Sequence, residues 1–370
     1  MSITVTPTHP EFVAEIAGID LGAALKPADR DAIEAAINRF AVVIFHGQKL
    51  DDERQVAFAR HFGPVDASAA KLRQRDIKHR QLADEIADIS NLDSDGKVLE
   101  ADSRRRLDWL GNRLWHTDAS FRRVPGALSM LYAHIIPDEG GDTEFADMRA
   151  AYDGLPDRTK RELEGLVAEH SIWRSREQLG VVKYSAEELA SLPPVPQRVV
   201  RTHPGSCRKT LYIASHASHI LGRPVADGRL LLMDLIEHAT QPRFTYSHAW
   251  KQGDLVIWDN RCTMHRARPF DTTKVRDLRR VTTDAGAGCV DAFCARALSV
   301  TRASSQNVST AKTATASSGK SAASRSCRLR QISVVLNCHR PSGSAVPVRR
   351  AAPAHAAPPR SFPAPHRHRH

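Results

Sequence analysis

Residues 127–136 read Ala-Leu-Ser-Met-Leu-Tyr-Ala-His-Ile-Ile, an apolar run holding a single histidine. A run this short and this apolar fits a strand buried on both faces. Other short strands are read around it. Ala41–Phe45 precedes it, and Gln197–Thr202, Thr210–Ile213, Leu255–Trp258 and Leu278–Thr283 follow. Pro204-Gly205 supplies a turn between the second and third of these. Helical spacing lies between the strands. Ile33, Ile37 and Phe40 follow Pro27; Asp51 caps a helix carrying Val56, Ala59 and Phe62, stopped by Gly63-Pro64. Pro156 opens a helix with Leu163, Leu166, Val167 and His170 on one side, and Leu230–His238 forms another with Leu231, Leu232, Leu235 and Ile236. There is no βαβ alternation and no internal repeat. The expectation is a mixed α+β fold: a double-stranded β-helix (jelly roll) core with flanking helices.

The chain has 370 residues and a formal net charge of +11. That charge is not spread evenly. Residues 286–370 hold 13 Lys+Arg and one acid, Asp291, whereas residues 1–285 hold 40 basic and 41 acidic residues. The body therefore has no global electrostatic claim on nucleic acid. All five Trp and all five Tyr lie in the body. Residues 286–370 are Ala/Ser/Arg/Pro-rich, a composition that buries little apolar surface, and are read as a disordered basic tail. The organisation expected is one domain over 1–285 plus this tail. Residues 66–112 are highly charged, include Arg104-Arg105-Arg106, and are read as a long loop or active-site lid. Only Cys207 and Cys262 lie in the body, which speaks against a disulfide framework and for a reducing cytoplasm. No signal peptide and no membrane helix are expected.

His116-Thr117-Asp118 has the His-x-carboxylate spacing. In an extended segment, residues i and i+2 share a face, so His116 and Asp118 could ligate one ion. With 18 His and 42 acids, composition alone gives about two such pairs. The other is His9-Pro10-Glu11, near the terminus and split by proline. His265 is the candidate third ligand. Two histidines and one carboxylate on one octahedral face suit Fe(II) and leave three positions open. Arg276 and Arg280 follow His265 by 11 and 15 residues. A dicarboxylate chelating that metal needs a cation for its far end, and the planar fork of arginine suits it. Thr143, after Gly140-Gly141-Asp142, could add a hydroxyl donor.

Leu114-Trp115-His116-Thr117-Asp118, Gly140-Gly141-Asp142-Thr143-Glu144-Phe145, Trp258-Asp259-Asn260-Arg261 and Met264-His265-Arg266 resemble the Fe(II)/2-oxoglutarate-dependent dioxygenases of the taurine dioxygenase superfamily. Asp147–Asp153, Glu164-Gly165-Leu166, Ala168-Glu169-His170 and Ser215-His216-Ala217-Ser218-His219 are similar to its aryloxyalkanoate branch. The resemblance spans about residues 1–285. It implies His116, Asp118 and His265 as iron ligands, with Thr143 and Arg276 on the distal carboxylate of 2-oxoglutarate. It implies Arg280 on the substrate carboxylate, and substrate-side roles for His203, His216 and His219. Lys71 and Lys97, in the charged loop, could also meet an anionic substrate. The implied reaction uses Fe(II), 2-oxoglutarate and O2. It hydroxylates the ether-adjacent carbon of an aryloxyalkanoate such as 2,4-dichlorophenoxyacetate, giving a phenol and glyoxylate with succinate and CO2. The implied partner is a small anionic aromatic molecule, with no specific nucleic acid and no membrane; a homo-oligomer is left open.

Three alternatives stand beside this reading. One is an alkylsulfonate (taurine-type) or alkyl sulfate dioxygenase with the same iron chemistry. Another is a non-catalytic metal-binding protein. The third is a nucleic-acid binder acting through the tail, which has only Phe293 and Phe362 for base stacking. Two stretches depart from the family. The residues after Ala285 have no counterpart and are expected to derive from a frameshift or fusion. The arginine-rich 103–106 stretch has no assigned role.

Overall fold

The computed structural model describes residues 3–67, 82–180 and 184–285. The first elements are β1 (Thr4–Pro7), β2 (Ala14–Ala17), α1 (Pro27–Phe40), β3 (Val42–Phe45), α2 (Asp52–Arg60), β4 (Ala87–Asp88) and α3 (Arg104–Trp109). Then come β5 (Gly126–Ile135), β6 (Thr143–Asp147), α4 (Met148–Asp153), α5 (Asp157–Leu163), β7 (Val167–His170), α6 (Ile172–Glu177), α7 (Ala186–Ser191) and β8 (Val195–Arg198). The last are β9 (Val200–Thr202), β10 (Lys209–Leu211), β11 (Ala217–Ile220), α8 (Val225–Ala239), β12 (Thr245–His248), β13 (Leu255–Asp259), β14 (Thr263–Ala267) and β15 (Asp277–Asp284).

Seven strands form the major sheet in the order β1-β2-β3-β13-β5-β15-β4. Facing it is a three-stranded sheet, β12-β6-β14; β11-β7-β8 and the β9–β10 hairpin complete the strands. Two faces of the major sheet explain its unbroken apolar runs. Val43, Phe45, Met130, Leu255 and Ile257 pack under α1 and α2 with Ile33, Ile37 and Phe58. The alternate residues Val42, Ile44, Leu131, Val256, Trp258 and Leu278 meet Phe145 of the smaller sheet in the sandwich interior. Strands covered on both sides lose the polar alternation of a half-exposed sheet. This is the jelly-roll core with flanking helices expected from the sequence.

The local signals act largely as read. Asp51 accepts from the Arg54 N–H and starts α2, and the Pro204-Gly205 turn joins β9 to β10. One helix is shorter than its spacing predicts. The helix after Pro156 ends at Leu163, and Val167 and His170 stand on β7 instead. Gly165 lies at φ +78°, a conformation that ends a helix and that glycine adopts without strain.

Residues 82–112, read as part of one long loop, carry β4 and α3. Ile86 is fully buried in the core beneath α1 and α2. The arginines of α3 each find a separate partner. Arg104 pairs with Glu188, Arg105 with Asp88 and the Leu92 carbonyl, and Arg106 with the Thr272 hydroxyl. The stretch therefore fastens α3 to its surroundings. Lys71 and the basic tail 286–370 lie outside the described residues.

Candidate active site

His116 follows a 3-10 turn, Leu110–Arg113, and forms an isolated antiparallel bridge with His265 of β14. The bridge is closed by backbone bonds of 2.9 and 2.7 Å between the two residues. It sets their rings 4.1 Å apart, centroid to centroid. Asp118 lies two residues further on, and His265 Nε2 is 3.7 Å from its Oδ2. One donor atom from each of His116, Asp118 and His265 lies within 4.8 Å of the others, and all three residues are buried.

The donor chemistry fits a divalent iron. His116 Nδ1 is 2.8 Å from the Leu114 carbonyl, so Nδ1 carries the proton and the Nε2 lone pair is free to ligate. Burial pushes the pKa of both histidines down, which keeps them neutral. Burial alone would raise Asp118. The Arg280 charge first, with the neighbouring imidazoles and the Ser129 hydroxyl, outweighs it and holds the carboxyl well below its usual range. Two neutral imidazoles and one carboxylate that converge in this way make the donor set that non-haem Fe(II) uses.

A second ring of groups fixes the carboxylate. Ser129 of β5 donates to Asp118 Oδ2 at 2.7 Å. Asn260, just after β13, donates from Nδ2 to Ser129 Oγ and accepts from the Asp118 and Trp258 N–H groups. Both Ser129 and Asn260 are fully buried. Sequence reading missed their role, although Asn260 stands in a motif quoted for the resemblance. Ala119, at φ +57°, turns the chain directly after Asp118.

Arg276 immediately precedes β15 and is 2% exposed. Its Nη2 donates to the Gly141 carbonyl at 3.1 Å, and its backbone N–H to Asn91 Oδ1 at 2.8 Å. The rings of Phe270 and Trp109 lie 5.4 and 5.8 Å from the guanidinium carbon. Among the described residues it has no ion pair. Burial without a counter-charge lowers its pKa to about 10. A buried cation whose acceptors among the described residues are carbonyls, with no carboxylate, is set up to receive an anion. Thr143, at the start of β6, is buried, and its Oγ1 accepts from Trp250 Nε1 at 3.0 Å.

The remaining candidates divide. Arg280 of β15 commits one donor to the triad, its Nη1 donating to Asp118 Oδ1 at 2.5 Å, while its buried Nε has no hydrogen-bond partner among the described residues. His216 adjoins the triad, its ring 5.9 Å from that of His116 and its Nδ1 3.0 Å from Ser120 Oγ. His203 has both nitrogens engaged, Nε2 with Asp259 and Nδ1 with Ser206, each at 2.9 Å. His219 of β11 meets Ser218 beside it and Glu169 of β7. Lys97 sits exposed in a turn closed by Asp93. The structure thus gathers His116, Asp118, His265, Arg280 and His216, and gives His203, His219 and Lys97 other surroundings.

A cavity of about 290 Å³ is lined by Trp109, Leu110, Asn112, Arg113, Arg268 and Phe270, among others. Asn112 and Arg113 shortly precede His116 in the chain, and Ala267 to Phe270 follow His265. The cavity therefore opens beside the segments that carry both ligand histidines.

Comparison with known proteins gives a consistent answer. The family described as taurine catabolism dioxygenase TauD, TfdA family matches residues 4–282. The chain is 50% identical over 283 residues to an alpha-ketoglutarate-dependent 2,4-dichlorophenoxyacetate dioxygenase of Burkholderia sp. (strain RASC), covering 76% of this chain and 95% of that protein. It is 38% identical over 280 residues to an (S)-phenoxypropionate/alpha-ketoglutarate-dioxygenase of Sphingobium herbicidovorans, covering 74% and 91%. Among solved structures it is similar to AAD-2 in complex with Mn(II) and N-oxalylglycine. There the TM-score is 0.74 at 48% identity, covering 77% of this chain and 99% of that one.

Proposed function

Because the chain belongs to the TauD/TfdA family of taurine catabolism dioxygenases, we propose that it is an Fe(II)- and 2-oxoglutarate-dependent dioxygenase acting on aryloxyalkanoates. The substrate class follows the named relatives, at 50% and 38% identity. The observation that carries the chemistry is a pairing: a buried, convergent His-Asp-His triad, and a buried Arg276 with no acid partner among the described residues.

His116, Asp118 and His265 would hold the iron. Iron bound there supplies oxygen activation that couples decarboxylation of 2-oxoglutarate to hydroxylation of the substrate. Arg276 and Thr143 receive the distal carboxylate of 2-oxoglutarate. Ser129 and Asn260 hold the Asp118 carboxylate in one rotamer, so the ligand set does not reorganise during turnover. Arg280 orients the substrate carboxylate beside the iron while it remains bonded to Asp118, and His216 stands on the substrate side. Phe145 and Trp258 pack against the His265 ring and keep water from it. Hydroxylation of the ether-adjacent carbon gives a hemiacetal, which breaks its C–O bond to release the phenol and, for an oxyacetate, glyoxylate.

All the groups in this reading come from one chain, and we place them in a catalytic body over residues 1–285. A cytoplasmic enzyme is part of the proposal, supported by the free thiols of Cys207 and Cys262. No helix of the described residues is long and apolar enough to cross a membrane. The near-zero charge of the body supports a small-molecule partner over nucleic acid. The test is anaerobic loading with Fe(II) and 2-oxoglutarate, then oxygen with and without 2,4-dichlorophenoxyacetate. Succinate and phenol should form in step, and truncation of residues 286–370 should leave both unchanged. Succinate stimulated by a sulfonate or sulfate ester but not by the phenoxy acid would move the substrate class.

A further inference from the structure

We propose that Trp250 is a positioning residue for the co-substrate: its indole N–H, donated to Thr143 Oγ1, turns the only proton of that hydroxyl toward the distal carboxylate of 2-oxoglutarate. The proposal rests on the reading of Thr143 and Arg276 as the clamp for that carboxylate.

A threonine hydroxyl has one proton to give and two lone pairs to offer, and an indole N–H can only donate. The 3.0 Å bond from Trp250 Nε1 therefore occupies a lone pair and leaves the O–H to point elsewhere. Thr143 is buried, and among the described residues no acceptor takes that proton. Without the indole, the hydroxyl would be free to rotate, and ordering it would fall to the ligand.

The indole is itself held from behind. Trp250 is 9% exposed, and the His248 ring meets it edge-on at 4.7 Å, with 83° between planes. His248 lies directly opposite Thr143 in the β12–β6 pairing. Its Nε2 is 3.1 Å from Asp254 Oδ2, and the same carboxylate accepts from the Lys251 N–H at 2.9 Å. The other carboxylate oxygen is 2.7 Å from His46 Nδ1. Asp254 thus closes the 248–254 turn on itself. Gly253 permits the turn at φ +83°, where a Cβ would sit 2.9 Å from the Gln48 carbonyl. A chain from Asp254 through His248 to Trp250 ends on the co-substrate threonine.

The experiment measures calorimetric dissociation constants on the Mn(II)-loaded protein for two acids. 2-Oxoglutarate carries the distal carboxylate, and 2-oxobutyrate keeps the keto-acid head without it. Trp250→Phe preserves the ring packing and removes the donor. It should weaken 2-oxoglutarate about tenfold, the scale of one hydrogen bond to a charged group, and change 2-oxobutyrate less than twofold. In the Fe(II) enzyme the KM for 2-oxoglutarate should rise by a similar factor, with kcat at saturation within twofold. Equal losses for both acids, or no loss, would overturn the proposal. Thr143→Val separates the two readings. No change in 2-oxoglutarate affinity on Thr143→Val defeats the clamp itself. A loss on Thr143→Val but none on Trp250→Phe defeats only the role of Trp250. Should Trp250→Phe not fold, the native protein still decides. Its Trp250 indole N–H resonance, assigned through its movement in Thr143→Val, should shift with 2-oxoglutarate and not with 2-oxobutyrate. Equal shifts with the two acids would overturn the proposal.

Discussion

Two buried clusters of this protein each bring a histidine, an aspartate and a third donor within 4.8 Å: His116, Asp118 and His265, and His203, Asp259 and Cys262. Only the first is open for a metal. In the second, both nitrogens of His203 are engaged, and Arg261 clasps both oxygens of Asp259 at 2.6 to 2.8 Å. Burial and the Asp259 charge push the Cys262 thiol well above its ordinary pKa, so it holds its proton. In the first cluster the free nitrogen of His116 and the mutual approach of His265 and Asp118 are left over after the protein's own bonds are counted. Proximity alone therefore does not make a metal site; unspent lone pairs do.

The comparison breaks most easily at the ligands. Asp118→Ala should abolish stoichiometric iron and cut turnover by at least about a thousandfold, close to 4 kcal/mol of lost transition-state stabilisation. Cys262→Ala should still bind one iron per chain by metal analysis. Loss of iron in the cysteine variant would erase the distinction between the clusters. The next effect tests the closed cluster. Asp259→Asn leaves Arg261 and His203 without their acid and should cost about 3 kcal/mol in urea unfolding. Iron bound per folded chain should stay at one. A variant as stable as the parent would show that the cluster is not a structural brace.

Arg276 comes third. Arg276→Met fills the space and removes the buried charge, so the KM for 2-oxoglutarate should rise about a hundredfold, or about 2.7 kcal/mol. An unchanged KM would place the distal carboxylate elsewhere. The metal content should not move, because Arg276 bonds to carbonyls and not to the triad.

What the sequence revealed follows the range of the interactions. The strands of the sandwich were readable because two-sided burial leaves unbroken apolar runs such as Val42–Phe45. His116 and Asp118 were readable because they stand two positions apart. His265 needed the ordered set of motifs, since it lies 147 positions after Asp118 and so long a stretch of chain carries no geometric signal between distant ligands. β7 was misread because Leu163, Leu166, Val167 and His170 keep a helical spacing that Gly165 interrupts. Ser129, Asn260 and Trp250 were invisible for another reason. Their work is done across strands, as when Trp250 reaches Thr143 from 107 positions away. Arg280 was placed beside the substrate by resemblance, but its bond to Asp118 depends on β15 lying next to β5.

The smallest effect concerns a histidine that belongs to neither cluster. His170 is fully buried, stacks on Tyr212 at 5.8 Å, and among the described residues has no hydrogen-bond partner for either nitrogen. It has unspent lone pairs, yet no carboxylate and second imidazole converge on it, so the rule drawn from the two clusters needs convergence as well. Burial, and then the Arg201 charge, lower its pKa from 6.5 to about 3. The unfolded chain binds this proton more readily than the folded one. Stability attributable to His170 is therefore fully present above pH 6.5 and is lost as pH falls from there towards 3, by up to about 1.4 kcal/mol per pH unit. His170→Phe should be near neutral at pH 7, because an apolar ring replaces one with unmet polar atoms. Between pH 6.5 and 5 its urea midpoint should fall less steeply than that of the parent. His9, His116, His216 and His265, whose pKa values are also lowered, contribute to the remaining slope. Identical slopes would mean that water reaches His170 in the folded protein and relieves the burial that lowers its pKa.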